Sequence, residues 1–331
     1  MKKAVSILLL ALTLCLSACA KTPVYSADSF YYGTYIGKKV PGTYSMAFRL
    51  PGFSDGKCIL SRVNGDPNAV KAGFAGVFAE DEGETVYQLN ATEKMYPASM
   101  TKMMTALLVM ENTENYGELV EITDETFEGL TDDSSIAYLH KGGSYSVRDL
   151  LIGLLIPSGN DAANALAIHV SGSVSEFVAL MNKRAGELGM FNTRYANPNG
   201  LHNAKHYTTV YDMYLLAREC MKYSLFTDIT GMVSAEVLCH NEDGTVTGQS
   251  YTTTNSFVRQ YVLPPEGVSI VGGKTGSTVE AGRCLTLIVS GPRGGTYIAV
   301  IGKVNGYDAL YSEMNRLLEM IPEYEKTLNE P

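Results

Sequence analysis

Apolar and polar positions divide this chain into segments of different period. Residues 75–80 and 85–89 are short runs rich in strand-forming side chains, and Asp81-Glu82-Gly83-Glu84 between them supplies the glycine of a turn, so the pair predicts a β-hairpin. Residues 103–110 are almost unbroken in apolarity, and a helix apolar on every side is a buried one. Residues 150–156 form a second apolar segment stopped by Pro157, and residues 161–170 predict a helix that opens on an acid. From 175 to 188 the stripe Phe177, Val178, Leu180, Met181, Ala185 and Leu188 has helical spacing, and Asn197-Pro198-Asn199-Gly200 beyond it reads as a turn. The signals from 118 to about 265 are mostly helical, with room for a short strand near 120–123. After Pro264-Pro265, residues 268–271, 283–290 and 296–302 read as strands. Residues 307–321 then place Leu310, Met314, Leu317, Leu318 and Ile321 on one helical face suited to lie on that sheet. Asp308, Glu313 and Glu319 against Arg316 disfavour a membrane surface for the same helix. No internal repeat is present.

Composition narrows the class. The 331 residues are 45% hydrophobic, enough for a sizeable core. With 26 Lys+Arg against 35 Asp+Glu the net charge is −9, and no basic patch with interleaved aromatics appears, so nucleic acid is not an expected partner. Residues 1–18 read as an export signal: Lys2-Lys3 precedes the apolar run 5–16, which is too short to span a bilayer. The run ends in Leu16-Ser17-Ala18-Cys19, which resembles a bacterial lipobox. That resemblance implies cleavage before Cys19, a diacylglycerol on its thiol, and a lipoprotein held on the outer side of the cell membrane by its N-terminal lipid. An ordinary secretory signal cut at a nearby small residue is the alternative. Loss of 1–18 leaves 24 Lys+Arg against 35 Asp+Glu, a net charge of −11, so the expected anchor is lipid and not charge. Residues 19–56 are a tether and entry segment, 57–322 the folded domain with a helical subdomain over 118–265, and 323–331 a tail.

Cys58, Cys220, Cys239 and Cys284 remain in the mature chain and allow three complete pairings, among which the sequence does not choose. They form no Cys-x-x-Cys, which argues against zinc, and Cys284 in a strand reads as a small buried apolar residue. No metal or cofactor is expected.

The candidate chemistry begins with Ser99-Met100-Thr101-Lys102. Residues three apart share a helix face, Pro97 suits a helix entrance, and the apolar run that follows buries the lysine. Burial penalises the charged amine, which leaves Lys102 free to take a proton from Ser99. The spacing alone carries little, because Ser54-Asp55-Gly56-Lys57 repeats it in a turn where no helix brings the two side chains together. What gives it weight is the company of Ser158-Gly159-Asn160, in a tight loop between two helices, and Lys274-Thr275-Gly276, on or beside a strand. His202 and His206 lie four apart, but residue 203 is Asn and turn residues surround them, so a structural role is favoured over a metal. His169 on its apolar helix reads as a core residue, and the tyrosines as core and rim.

Ser-x-x-Lys, Ser-x-Asn and Lys-Thr-Gly in this order resemble the signature shared by penicillin-binding proteins and serine β-lactamases. The likeness extends through Leu154-Leu-Ile-Pro-Ser-Gly-Asn-Asp-Ala-Ala-Asn-Ala-Leu-Ala167, Asn197-Pro-Asn-Gly-Leu201 and Gly273-Lys-Thr-Gly-Ser-Thr278. Over roughly 57–321 the chain is similar to the D-alanyl-D-alanine carboxypeptidases among low-mass penicillin-binding proteins. The resemblance implies an α/β fold, a five-stranded antiparallel sheet flanked by helices and interrupted by the helical subdomain, with the site where the two parts meet. It implies that Ser99 attacks the penultimate D-alanine carbonyl of a peptidoglycan stem pentapeptide, with Lys102 as base, and that β-lactams acylate the same serine. Ser158 would relay a proton to the leaving D-alanine, and Asn160 would hold the loop and a substrate amide. Lys274 would add positive charge and Thr275 bind the terminal carboxylate, while Gly276 admits the substrate backbone. The backbone N–H groups of Ser99 and Ser277 would form the oxyanion hole.

The chain departs from many relatives in the short stretch after residue 321, where a second β-rich domain and an amphipathic anchor would follow; the lipid at Cys19 is expected to replace that anchor. Arg283 and Arg293 are the candidates for an arginine that some relatives direct at the substrate carboxylate. Three rivals stand beside this reading. A serine β-lactamase of one class would need a Glu-x-x-Leu-Asn after Ser158, and Glu187-Leu-Gly-Met-Phe-Asn192 has the wrong spacing. A DD-endopeptidase uses the same chemistry, and a non-catalytic wall-binding lipoprotein would be expected to have lost one of the polar groups.

Overall fold

A computed structural model describes residues 57–58, 60, 64–132 and 134–328, all within the compact unit Arg49–Pro331. The signal segment, Cys19, the tether over 19–56 and the Ser54 member of the second Ser-x-x-Lys pair lie outside the described residues.

The hairpin forms as β1 (Phe74–Ala79) and β2 (Glu84–Leu89). Its sheet is completed by β7 (Ser269–Thr278), β8 (Gly282–Ser290) and β9 (Thr296–Val304), in the order β2-β1-β9-β8-β7, and each neighbouring pair is antiparallel. The central strands are buried on both faces, which explains why they read as apolar runs and not as clean alternations. Ala75, Val77 and Ala79 of β1, Leu285, Leu287 and Val289 of β8, and Tyr297, Ala299 and Ile301 of β9 face one core. Phe78, Ile288, Ile298 and Val300 face the other, as the two-residue period of a strand requires.

The first core is closed by the last helix, α7 (Tyr307–Thr327), through Leu310, Met314, Leu317, Leu318 and Ile321. This helix runs past the residues expected to begin a tail. Pro322 lies inside it, removing one N–H from the helical ladder. Beyond the proline, polar anchors hold the last turn to the sheet. Glu325 accepts from Tyr297 Oη at 3.0 Å and from Arg293 N at 3.0 Å, and Tyr324 Oη donates to Glu84 at 2.8 Å. The apolar stripe ends at Ile321, so the hydrophobic pattern gives no sign of this extra turn and a half.

The second core is helical: α1 (Lys102–Asn112), α2 (Val147–Leu155), α3 (Asn160–Ser171), α4 (Val174–Leu188), α5 (Val210–Cys220) and α6 (Ser224–Thr230). Three of these helices start on a side-chain cap three residues ahead of an acid. Ser146 accepts from Asp149 N, Ser173 from Glu176 N, and Thr209 from Asp212 N. The caps set the true starts of α2 and α4 slightly ahead of the apolar stripes.

The 118–265 region also holds more strand than its pattern suggests. Beside β3 (Leu119–Glu121) and β4 (Ser144–Ser146) stands a long hairpin, β5 (Ser234–His240) and β6 (Val246–Thr252), giving a four-stranded sheet in the order β3-β4-β5-β6. Only Val237, Cys239 and Tyr251 of the hairpin are buried, and the rest is mostly Ser, Thr, Gly, Gln, Glu and His with exposed Leu238 and Val246. So thin an apolar face yields almost no periodic signal. Among the described residues no single helix is long and apolar enough to cross a membrane.

Candidate active site

Ser99 lies on a tight 3-10 turn, Ala98–Thr101, immediately ahead of α1. That turn has three residues per turn, so Ser99 and Lys102 stack one above the other and not merely on a shared face. Lys102 Nζ is 3.1 Å from Ser99 Oγ. Its other neighbours are acceptors: Asn160 Oδ1 at 2.6 Å and the carbonyl of Asn199 at 2.6 Å. The amine is fully buried and its pKa is held well below the lysine range, first by desolvation and then by the charge of Lys274, with Asp161 opposing. A neutral amine has two hydrogens and one lone pair. In that form two hydrogens can serve Asn160 and Asn199, which leaves the lone pair for the Ser99 hydroxyl.

The loop Pro157-Ser158-Gly159 joins α2 to α3 and presents Ser158 with φ +69°, a left-handed backbone for a non-glycine residue. Such outliers persist where the surroundings hold them. Here the hold is backbone: Gly159 N donates to Gly153 O at 2.9 Å, and Asn160 N to Ser135 O at 2.8 Å. Ser158 Oγ accepts from Lys274 Nζ at 3.0 Å, and the same amine donates to Thr275 O at 3.1 Å. Lys274 is also fully buried, and desolvation pushes its pKa down to about 7.

Strand β7 is an edge of its sheet, and it runs alongside the Ser99 turn. The contact is so close at Gly276 that a Cβ there would lie 2.8 Å from Pro97 O and 3.2 Å from Met100 N. Thr275 Oγ1 shares a 2.6 Å hydrogen bond with Thr254 Oγ1, and Ser277 is exposed on the same edge. Ser99, Lys102, Ser158, Asn160, Lys274, Thr275, Gly276 and Ser277 are therefore assembled in one place from three separated segments. The two arginines are not. Arg283 pairs with Ser277 across β7 and β8 but has its guanidinium over the Tyr307 ring, and Arg293 lies in the β8–β9 turn, bonded through its backbone to Glu325.

Several residues of the site escaped the motif reading. Asp161 is fully buried and accepts from Ala137 N at 2.7 Å, Leu139 N at 3.1 Å and Ala162 N at 2.9 Å, which ties the 135–139 segment to the start of α3. Asn164 donates to the carbonyls of Thr126 and Glu128 and accepts from Asn199 Nδ2 at 3.2 Å. The signal was present: Asp161 and Asn164 are polar residues inside an otherwise Ala- and Leu-rich helix, and buried polar groups are there to be bonded. The 197–200 turn also does more than end a helix. Pro198 O accepts from Thr105 Oγ1 at 2.5 Å, and Gly200, at φ +90°, packs where a Cβ would meet Ala98 O at 2.0 Å. His202 Nδ1 is 3.6 Å from Glu280 Oε2, while His206 is buried against Thr101, so the two histidines do not converge on one point. Cys58, Cys220, Cys239 and Cys284 are separate buried thiols.

A buried lysine set against a serine hydroxyl, at the seam of a five-stranded antiparallel sheet and a helical cluster, defines the Ser-x-x-Lys class of acyl-transfer proteins. Within that class the chain belongs to the D-alanyl-D-alanine carboxypeptidase family, whose sequence profile matches residues 62–302. It is 39% identical over 219 residues to D-alanyl-D-alanine carboxypeptidase DacF of Bacillus subtilis, covering 66% of this chain and 54% of that protein. It is 32% identical over 231 residues to a D-alanyl-D-alanine carboxypeptidase of Streptomyces, covering 67% and 76%. The crystal structure of a Streptomyces DD-transpeptidase superposes with a TM-score of 0.72 at 27% identity, over 77% of this chain and 98% of that one. The chain spans about half the length of several curated relatives it matches, between 51% and 58%.

Proposed function

We propose that this chain is a serine D-alanyl-D-alanine carboxypeptidase that removes the terminal D-alanine from peptidoglycan stem pentapeptides. The observation that carries the reading is the buried Lys102 amine, 3.1 Å from Ser99 Oγ, with both its remaining near neighbours acceptors. Ser99 Oγ attacks the carbonyl carbon of the penultimate D-alanine as its proton passes to Lys102 Nζ. The N–H groups of Ser99 and Ser277 receive the oxyanion, a donor pair of which each member contributes ~3 kcal/mol to lowering the barrier. The carbon–nitrogen bond then breaks, and the departing D-alanine amine takes a proton through Ser158, which Lys274 holds by its hydroxyl oxygen. Lys274 and Thr275 receive the terminal carboxylate, and Gly276 lets the peptide lie against β7. Water, deprotonated by Lys102, releases the shortened peptide. A β-lactam follows the first step, but its broken amide stays tethered to the acyl group, so no leaving group departs and the adduct persists.

Support for location comes from the sequence alone: the Lys2-Lys3 and apolar run, ending in Leu16-Ser17-Ala18-Cys19, favours export and lipid anchoring at Cys19. Fatty-acid labelling that survived Cys19→Ala would sink that part. For the activity, intact mass after penicillin treatment is expected to rise by one penicillin in the wild type and not in Ser99→Ala, with D-alanine released from a pentapeptide by the wild type only. Rapid penicillin turnover would favour a β-lactamase. Unmodified Ser99 together with no D-alanine release would favour a non-catalytic binding protein.

A further inference from the structure

The buried imidazole of His206 has both ring nitrogens engaged. Ala196 N donates to Nδ1 at 3.3 Å, and Thr101 Oγ1 lies 2.8 Å from Nε2. An Nδ1 that accepts carries no hydrogen, so in the neutral ring Nε2 carries it and donates to Thr101 Oγ1. The tautomer thus follows from the backbone contact. The Tyr195 ring meets the imidazole edge-on at a centroid distance of 5.5 Å and fixes its plane.

Thr101 is the last residue of the 3-10 turn and stands between Ser99 and Lys102 in its sequence. Neither terminus of that turn has a side-chain cap of its own, and Ala98 carries φ +48°, which a non-glycine residue adopts only under constraint. The constraint comes from outside, from the 196–206 segment. Gly200 abuts the Ala98 carbonyl, the Asn199 carbonyl takes Lys102 Nζ, and His206 takes Thr101.

We propose that His206 is a positioning residue for acylation: by donating from Nε2 to Thr101 Oγ1 it holds the strained turn in the form that sets Ser99 Oγ against Lys102 Nζ. The proposal rests on Ser99 being the nucleophile. Burial first of all pushes the His206 pKa down to about 4, so the donor–acceptor pattern holds through the neutral range.

Side-chain reach provides the test. Gln at 206 can place an N–H where Nε2 stood, whereas Asn can satisfy Ala196 N–H but falls short of Thr101. Time-resolved intact mass with benzylpenicillin gives the non-covalent binding constant and the acylation rate constant separately, and a thermal melt follows folding. Expected is a fall of ten- to a hundred-fold in the acylation rate constant for His206→Asn, with the binding constant within threefold. His206→Gln should recover to within about fivefold of the wild type. Thr101→Val, which removes the hydroxyl at near-constant shape, should show the His206→Asn loss, and the double variant no further loss. Wild-type acylation by a folded His206→Asn or Thr101→Val overturns the proposal. So does a multiplicative loss in the double variant, or a Gln variant no better than Asn. A wild type that forms no adduct at all would instead overturn the reading of Ser99 as nucleophile.

Discussion

Replacing Lys102 by methionine removes the amine while keeping an unbranched side chain of similar length, and it separates the chemical role of Lys102 from its structural one. A positioned general base contributes about 10²- to 10⁴-fold in rate, or ~3–5 kcal/mol of barrier. Lys102 is the only basic nitrogen recorded within hydrogen-bonding distance of Ser99 Oγ among the described residues, so the whole of that factor falls on it. The stability account runs in two directions. Methionine leaves Asn160 Oδ1 and the Asn199 carbonyl without their lysine donor, at about 1–3 kcal/mol for each buried acceptor left unsatisfied. Against this, folding no longer desolvates an amine that is protonated in the unfolded chain at neutral pH, which acts in the opposite direction. Lys102→Met should therefore still fold with a cooperative melt while acylation by benzylpenicillin falls at least a hundred-fold. Intact mass against time measures the second quantity and a thermal or denaturant melt the first. A folded Lys102→Met that acylates within tenfold of the wild-type rate would show that the base lies elsewhere and refute the argument.

Three further outcomes follow from the geometry. The second-order acylation rate with a carboxylate-bearing substrate should rise with pH as Lys102, whose pKa is lowered, loses its proton, and fall above about pH 7 as Lys274 loses its own; Lys274→Met should abolish the falling limb, and a wild-type profile with no fall up to pH 9 would contradict the assigned charge. Gly200→Ala puts a Cβ 2.0 Å from the Ala98 carbonyl at a φ of +90°, and both obstacles are backbone, so acylation should drop more than tenfold. Gly129→Ala is its control: at φ +72° with open space around it, only the left-handed conformation is penalised, at about 1–2 kcal/mol, with acylation unchanged. Asp161→Asn turns an amide NH₂ toward one of the N–H groups of Ala137 and Leu139, and should cost about 2–4 kcal/mol in a denaturant melt; a loss below 0.5 kcal/mol would mean those bonds are dispensable.

The framework of the fold was legible because the strands and helices that flank the site are buried on more than one side. Runs such as 103–110 and 283–290 announce themselves by apolarity alone, and the order Ser99, Lys102, Ser158, Asn160, Lys274 marked the site before any geometry was available. What escaped is of a different physical kind. The β5–β6 hairpin is exposed along most of its length, so its residues are chosen for solvent and leave no period. The end of α7 is held by Glu325, Tyr324 and the Arg293 backbone, and hydrogen bonds from distant segments have no spacing in the sequence. The same holds for Asn199, whose contribution to Lys102 is a main-chain carbonyl. His206 was visible as a histidine near a turn, but its partner Thr101 lies 105 residues earlier, a separation no local pattern conveys.

Two lysines buried in one cleft call for a physical reason, since each loses hydration and each charge opposes the other. Their surroundings differ in what they permit. Lys102 is pressed by burial and by the Lys274 charge, against the opposing charge of Asp161, toward the neutral form, the state that can receive a proton from Ser99. Lys274 is desolvated but stands with its pKa only at about 7, and it donates to Ser158 Oγ and Thr275 O on the edge strand where the substrate carboxylate is expected. An arriving carboxylate would raise the Lys274 pKa and fix its charge. On this account the anionic end of the peptide offsets the desolvation that burial imposes on the Lys274 amine.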